Sequence, residues 1–168
     1  MSNLLRTDLV LVNPGARTEI YQSLGKRLTA VENPIWAGLI ATFVRRRGYS
    51  VEIVDAEARE LAPSQIADRI AEIKPRLVAV VVYWHQPSAS TQNMTGASLA
   101  CSAIRERVPE ARILMLGGHV AALPERTLAE EACDFVAHDE GLHTIVDLLE
   151  AERQGDTSLN KIRGLTYW

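Results

Sequence analysis

Short apolar runs alternate with longer amphipathic stretches from one end of the chain to the other. Asp8 to Val12 is an apolar run closed by Asn13-Pro14-Gly15, which predicts a strand followed by a turn. Pro34 opens a helical stretch from Ile35 to Arg47, with Ile35, Leu39, Ile40 and Phe43 expected on one face and Gly48 as the stop. Ser50 to Asp55 is a second strand. Pro63 then starts a helix whose apolar positions are Ile66, Ile70 and Ile73, and Lys74-Pro75 ends it. Leu77 to Tyr83 is continuous and β-branched, the pattern of a central strand buried on both faces. A helix over Thr91 to Val108 follows, then a strand over Arg112 to Leu116, a loop Gly117-Gly118-His119 and a short helix from Pro124 to Glu131. Asp134 to Ala137 reads as a short strand, Gly141 to Arg153 as a helix, and Gly164 to Tyr167 as a last, weaker strand.

Strands separated by crossovers long enough to carry helices predict an α/β fold with a mostly parallel sheet and helices on both faces. Right-handed crossovers leave few topologies. The expectation is a doubly wound, flavodoxin-like (Rossmann-like) sheet of five strands in the order 2-1-3-4-5. The 168 residues suit one domain spanning 1–168, large enough to fold without a disulfide or structural metal.

Composition narrows the function classes. The net charge of −3 gives no general affinity for nucleic acid or an anionic membrane, so neither is expected as a partner. The densest basic run, Arg45-Arg46-Arg47, falls where a helix should end, and cations there complement the helix dipole. Two distant cysteines, Cys101 and Cys133, rule out a disulfide framework, a zinc ribbon and a self-contained iron–sulfur site, and both read as buried small apolar residues. The first residues are polar and lead straight into a strand, and no apolar run approaches the length of a membrane helix, so the expected compartment is the cytoplasm.

In sheets of this kind ligands bind outside the carboxyl ends of the strands, so four loops carry the functional information. The first, Asn13-Pro14-Gly15 and the long stretch to about Asn33, holds Arg17, Lys26 and Arg27, which suit phosphate or carboxylate groups; a plain surface loop is the alternative. It contains neither a Gly-x-Gly-x-x-Gly nor a Gly-Lys-Ser/Thr loop, which argues against the familiar nucleotide sites. The second, Tyr83-Trp84-His85-Gln86-Pro87-Ser88-Ala89-Ser90-Thr91, gathers aromatic, imidazole, amide and hydroxyl groups suited to a flat ligand; Ser90 or Thr91 is equally a helix N-cap. In the third, Gly117-Gly118 permits close backbone approach, and His119 is either a ligand contact or a loop residue bonded to the sheet end. The fourth is Ala137-His138-Asp139-Glu140-Gly141, where Glu140 is also explained by a helix N-terminus. Adjacent His138, Asp139 and Glu140 point in different directions, and no nucleophile elbow exists, so autonomous catalysis is not expected.

These loops resemble a known family. The chain is similar to the N-terminal cobalamin-binding domain of radical S-adenosylmethionine enzymes in Val12-Asn13-Pro14, the helix carrying Pro34 to Gly38, the Gly-Tyr-x-Val-x-x-x-Asp segment from Gly48 to Asp55, and Lys74-Pro75. It continues to match in Leu116-Gly117-Gly118-His119, Pro124-Glu125 and Asp134-Phe135-Val136. Of the Gly-Glu-Gly-Glu typical before the last helix, only Glu140-Gly141 is kept, and the segment from about residue 160 to 168 looks like the junction to a radical domain.

The resemblance implies cobalamin as cofactor. S-adenosylmethionine and a [4Fe–4S] cluster would enter only through a partner radical domain, in cis or in trans, because the Cys-x-x-x-Cys-x-x-Cys motif is missing here. An Asp-x-His-x-x-Gly motif after the first strand is also missing, so that loop offers cobalt no histidine, and the resemblance implies cobalamin held with its base off the cobalt, for methyl transfer or related radical chemistry. It further implies contacts from Asn13, Pro14, Gly15, Tyr83, Trp84, His85, Gln86, Ser88, Ser90, Gly117, Gly118, His119, His138, Glu140 and Gly141. Among these, Trp84 would cap the lower corrin face, His85 is the less favoured alternative as a cobalt ligand, and the tail would pass Ser88, Ser90, Gly117 and Gly118. The alternative is a docking or substrate-recognition domain of the same fold that has lost the cofactor.

Overall fold

The computed structural model describes residues 6–15, 31, 33–83 and 89–168. Its centre is a sheet of six strands: β1 (Leu9–Asn13), β2 (Val51–Asp55), β3 (Leu77–Val81), β4 (Ile113–Leu116), β5 (Phe135–Ala137) and β6 (Leu165–Thr166). The order is β2-β1-β3-β4-β5-β6, with β1 to β5 parallel. The five-strand order read from the sequence is present, but the sheet is one strand wider. The weak apolar signal at the C-terminus is a true edge strand, antiparallel to β5, with Val136 facing Thr166 and Ala137 facing Leu165. The weak strand read at Gly164 to Tyr167 is thus present, but two paired residues do not reveal a place in the sheet order.

The helices are α1 (Ile35–Arg45), α2 (Pro63–Ile73), α3 (Ser90–Arg107), α4 (Gly118–Ala122), α5 (Pro124–Glu130) and α6 (Leu142–Gln154), with a 3-10 turn at Leu159–Lys161. Gly118 and His119, expected in a loop, lie in α4. Among the described residues, no helix is long and apolar enough to cross a membrane.

The two-residue period of the strands sends alternate side chains to opposite faces and so builds two cores. Val10, Val12, Val78, Val80, Ile113 and Met115 pack with Ile66 and Ile70 of α2 and Ala97, Cys101 and Ile104 of α3. Leu9, Leu11, Ala79, Val81, Leu114 and Leu116 pack with α1 and α6 on the other face. At about 25 cal/mol for each Å² of apolar surface withdrawn from water, these cores are the main stabilising term.

Helix α1 corrects one expectation. Its buried face is Ala37, Ile40, Ala41 and Val44, while Ile35 and Leu39 are 64% and 55% exposed. The helix is apolar almost all round, so periodicity could not choose a side; the alanines win because they let the helix lie close to the sheet. Arg45, Arg46 and Arg47 do sit at its C-terminus, where Arg45 donates to the Val51 carbonyl at 2.7 Å and Arg47 to the Phe43 carbonyl at 3.1 Å. Cys101 is fully buried, but Cys133 is only partly so, a second departure from the sequence reading.

Candidate functional site

Parallel strands all end on the same rim, and the tight junctions there are made by small residues. Gly117, directly after β4, has φ +152, and a Cβ built on it would lie 2.6 Å from the carbonyl carbon of Val82. Its glycine is therefore required by the close approach of β4's end to β3's end, a demand that no other residue meets.

Ser90, the first residue of α3, fastens the same junction. It is 1% exposed; its hydroxyl donates to the Val82 carbonyl and accepts from the His119 backbone N–H at 3.0 Å. It is thus neither the N-cap residue, which is Ala89, nor a hydroxyl without a partner. Thr91 beside it is exposed, and its Oγ1 is hydrogen-bonded to His119 Nδ1 at 3.0 Å. With Nδ1 engaged, the outer nitrogen Nε2 remains the ring's other polar atom.

One turn into α3, Asn93 is 1% exposed. Its Nδ2 donates to the Tyr83 carbonyl at 3.4 Å, while its Oδ1 is buried with no hydrogen-bond partner among the described residues. Tyr83 links this cluster to its neighbours. Its ring stacks on Trp36 of α1, with centroids 4.4 Å apart and planes 20° apart, and its hydroxyl lies 3.5 Å from the Asp139 carbonyl oxygen. Burial, followed by the nearby carboxylates of Glu140 and Asp139, pushes the Tyr83 phenol up from 10.0 to about 12. It is therefore a neutral hydroxyl throughout the physiological range.

The first loop leans the other way, toward β2. Asn13 Nδ2 donates to Asp55 Oδ1 at 2.9 Å, its carbonyl accepts from Ala56 N–H at 3.0 Å, and Pro14 is buried. A Cβ on Gly15 would come within 3.3 Å of the Ala56 carbonyl and of the Glu57 Cα. In the fourth loop, Asp139 Oδ1 accepts from Gly141 N–H at 2.8 Å, and Gly141 takes φ +74 against Leu116. His138 is drawn aside: its Nε2 is hydrogen-bonded to Thr166 of β6, and its backbone N–H donates to Gly164. Glu140 is exposed.

Tyr83, Ser90, Gly117 and His119 are thus brought together, Gly118 begins α4, and His138 serves the edge strand. Trp84, His85, Gln86 and Ser88 lie outside the described residues, as do Arg17, Lys26 and Arg27. Sequence reading missed two members of the cluster. Trp36 carries no local signal, since nothing in the sequence tells that α1 leans on Tyr83. Asn93 was findable: it is the polar residue on α3's buried stripe of Gly96, Ala97, Ala100, Cys101 and Ile104.

The cluster of Tyr83, Ser90, Thr91, Asn93 and His119 offers hydroxyl, imidazole and amide groups and contains no Lys or Arg. Such a set suits an uncharged, amide-rich flat ligand better than a polyphosphate. Among the described residues, no three His, Cys, Asp or Glu side chains are grouped to hold a metal ion.

A family model described as the B12 binding domain matches residues 23–149. The chain belongs to the B12 binding domain family. The same stretch spans three of the four rim loops of this B12 binding domain. Among curated proteins, it is 29% identical to the uncharacterized methyltransferase PH0819 of Pyrococcus horikoshii over 95% of this chain and 32% of that protein. It is 24% identical to the anaerobic magnesium-protoporphyrin IX monomethyl ester cyclase of Rubrivivax gelatinosus over 88% of this chain and 26% of that protein.

Among solved structures, the radical S-adenosylmethionine methyltransferase TsrM from Kitasatospora setae, with cobalamin and a [4Fe–4S] cluster bound, matches with a TM-score of 0.72. The identity is 19%, over 96% of this chain and 29% of that one. The cobalamin-dependent S-adenosylmethionine radical enzyme OxsB with aqua-cobalamin bound matches with a TM-score of 0.69 and 17% identity, over 96% of this chain and 20% of that one. The shared fold is what these structural matches establish, and the B12 binding domain spans a third or less of each of these relatives.

Proposed function

We propose that this chain is the cobalamin-holding module of a radical S-adenosylmethionine enzyme, acting in the cytoplasm and presenting the cofactor at the carboxyl rim to a radical domain in cis or in trans. The observation that carries this reading is the B12 binding domain match over residues 23–149, which includes the Tyr83–Thr91, Gly117–His119 and His138–Gly141 loops. TsrM and OxsB, both solved with cobalamin bound, share this fold over the part that matches this chain. The hydrogen-bonding cluster fits a ligand rimmed with amides.

When bound, cobalamin would supply a cobalt centre able to carry a methyl group. The chain's own work is then to bind, orient and keep dry. His119, fixed through Nδ1 by Thr91, presents Nε2 to the ligand. The Trp36–Tyr83 stack forms an apolar wall, and the Tyr83 phenol remains a neutral donor beside Asp139. The loop after β1 has no Asp-x-His-x-x-Gly, so it gives cobalt no histidine; the base-off form is part of this reading. The segment from about residue 160 onward would lead toward the radical domain.

The alternative, a docking domain without cofactor, draws support from one observation: the β3–β4 junction is closed by Gly117 on Val82, with both partners of Ser90 inside the protein. Incubation with hydroxocobalamin, desalting and a visible spectrum separates the two. A retained corrin band without a nitrogen ligand from the tail is expected. A folded but colourless protein overturns the reading and leaves the docking domain.

A further inference from the structure

An unpartnered acceptor sealed inside a protein is uncommon, because buried polar groups in native structures nearly always find a partner. Among the described residues Asn93 Oδ1 and Glu131 Oε2 are such atoms, and Asn93 is the one at the carboxyl rim. The orientation of the amide is set by its surroundings. Nδ2 faces the Tyr83 carbonyl, and turning the amide over would place two acceptors against each other, so the oxygen is the free end.

The bond to the Tyr83 carbonyl occupies the amide nitrogen, and no contact among the described residues accounts for the oxygen. Asparagine is a poor residue for a helix interior. The stripe below it is built of Gly96, Ala97, Ala100 and Cys101, and the structural fastening of α3 to β3 is already made by Ser90, whose hydroxyl has a donor and an acceptor partner. Asn93 lies three residues from Ser90 and directly behind Tyr83, among the polar groups of the carboxyl rim. A ligand reaching this cluster meets one acceptor that no group among the described residues uses.

We infer that Asn93 is a cofactor-binding residue whose side-chain oxygen accepts a hydrogen bond from an uncharged donor of cobalamin, either an amide N–H of the corrin periphery or a ribose O–H of the nucleotide tail. This rests on the cobalamin reading proposed above. It also gives the site a trade-off: an acceptor kept open for the ligand is a cost to the empty protein, and the ligand relieves it.

The test compares the wild-type chain with Asn93→Leu, and with Asn93→Ala should the leucine variant fail to fold. Each is titrated with hydroxocobalamin and with cobinamide, which keeps the corrin amides and lacks the nucleotide. A denaturant melt of each ligand-free protein runs alongside. The expected result is an affinity for cobalamin about tenfold lower in the variant, while the ligand-free protein still unfolds cooperatively, its midpoint lowered only by the loss of the 3.4 Å bond to the Tyr83 carbonyl. An equal loss for cobinamide assigns the donor to a corrin amide, and a loss for cobalamin alone assigns it to the ribose. A variant that binds both ligands as the wild type does, or one that loses stability without losing affinity, overturns the inference and leaves the cobalamin reading intact. A wild-type chain that binds neither ligand overturns the cobalamin reading itself.

Discussion

The amino rim of the sheet and the carboxyl rim are both rich in polar groups, but they use them differently. At the amino rim a cavity of about 540 Å³ is lined by Arg6, Lys74, Arg76 and Arg112 among other residues. It has the charge of an anion site. Yet Arg6 donates to the carbonyls of Lys74 and Pro75 at 2.8 Å each, Arg76 lies 3.3 Å from Asp8, and Arg112 lies 3.4 Å from Glu152. Helices α2 and α3 end here, so an anion would face the negative ends of two helix dipoles that these cations already offset. At the carboxyl rim Thr91 and His119 form an accessible pair, and among the described residues Asn93 Oδ1 has no partner, as is true also of Glu131 Oε2 between α5 and β5. The amino-rim cations are engaged by protein groups, whereas the carboxyl rim keeps hydroxyl, imidazole and amide groups within reach of a ligand.

The largest effect expected from a single change is at Gly117. Gly117→Ala adds a Cβ against the Val82 backbone at a φ that alanine avoids, which should cost about 3–5 kcal/mol and abolish cobalamin retention. Urea denaturation of the purified variant checks it, and a loss under about 1 kcal/mol would show that the rim is looser than described. Ser90→Ala leaves a buried carbonyl and a backbone N–H without their partner, for an expected loss of about 2–3 kcal/mol. At the opposite rim, Arg6→Ala should cost less than about 1 kcal/mol and leave cobalamin retention unchanged. If Arg6→Ala released the cofactor, the contrast between the rims would fail.

Two tyrosines sharpen the contrast by titration. Tyr49, next to the start of β2 at the amino rim, is raised from 10.0 to about 12 by burial, then by the hydrogen bond to Glu150 and its charge. Tyr83 is raised to about 12 by burial, then by Glu140 and Asp139. A raised folded-state value favours the protonated phenol. The stability that each contributes is thus complete below pH 10 and lost as the pH rises from 10 toward 12. Phenolate absorbance should show two late-titrating tyrosines. Glu150→Gln should move Tyr49 down and leave Tyr83 in place. If both moved together, the rims would be electrostatically coupled. The smallest expected effect is at Lys74, which caps α2 with φ +52; Lys74→Gly should raise stability by about 0.5–1 kcal/mol in the same denaturation assay.

The strands of this fold are plain in the sequence because parallel strands buried on both faces must be continuous apolar runs, and Leu77 to Val81 is one. Where burial is one-sided or small, the signal weakens. The place of β6 in the sheet and the choice of face on α1 both depend on neighbours that local periodicity does not contain. The site was legible as loops, since the fold dictates the rim where ligands sit, and Tyr83, Ser90, Gly117 and His119 do converge there. The reason for Gly117 was not legible: it is a contact with Val82, 35 residues earlier in the chain. Asn93 had a signal, a polar side chain on a buried helical stripe, but its unmet oxygen is a property of three dimensions.

Hydrogen–deuterium exchange of the chain with and without hydroxocobalamin tests most directly the claim that the carboxyl rim holds the cofactor. The account predicts slowed exchange in the segments around Tyr83, Ser90 to Asn93, Gly117 to His119 and Asp139 to Gly141, with no change at Lys74 to Arg76 or Pro109 to Arg112. Protection at the amino-rim segments, with the carboxyl rim unchanged, would contradict it.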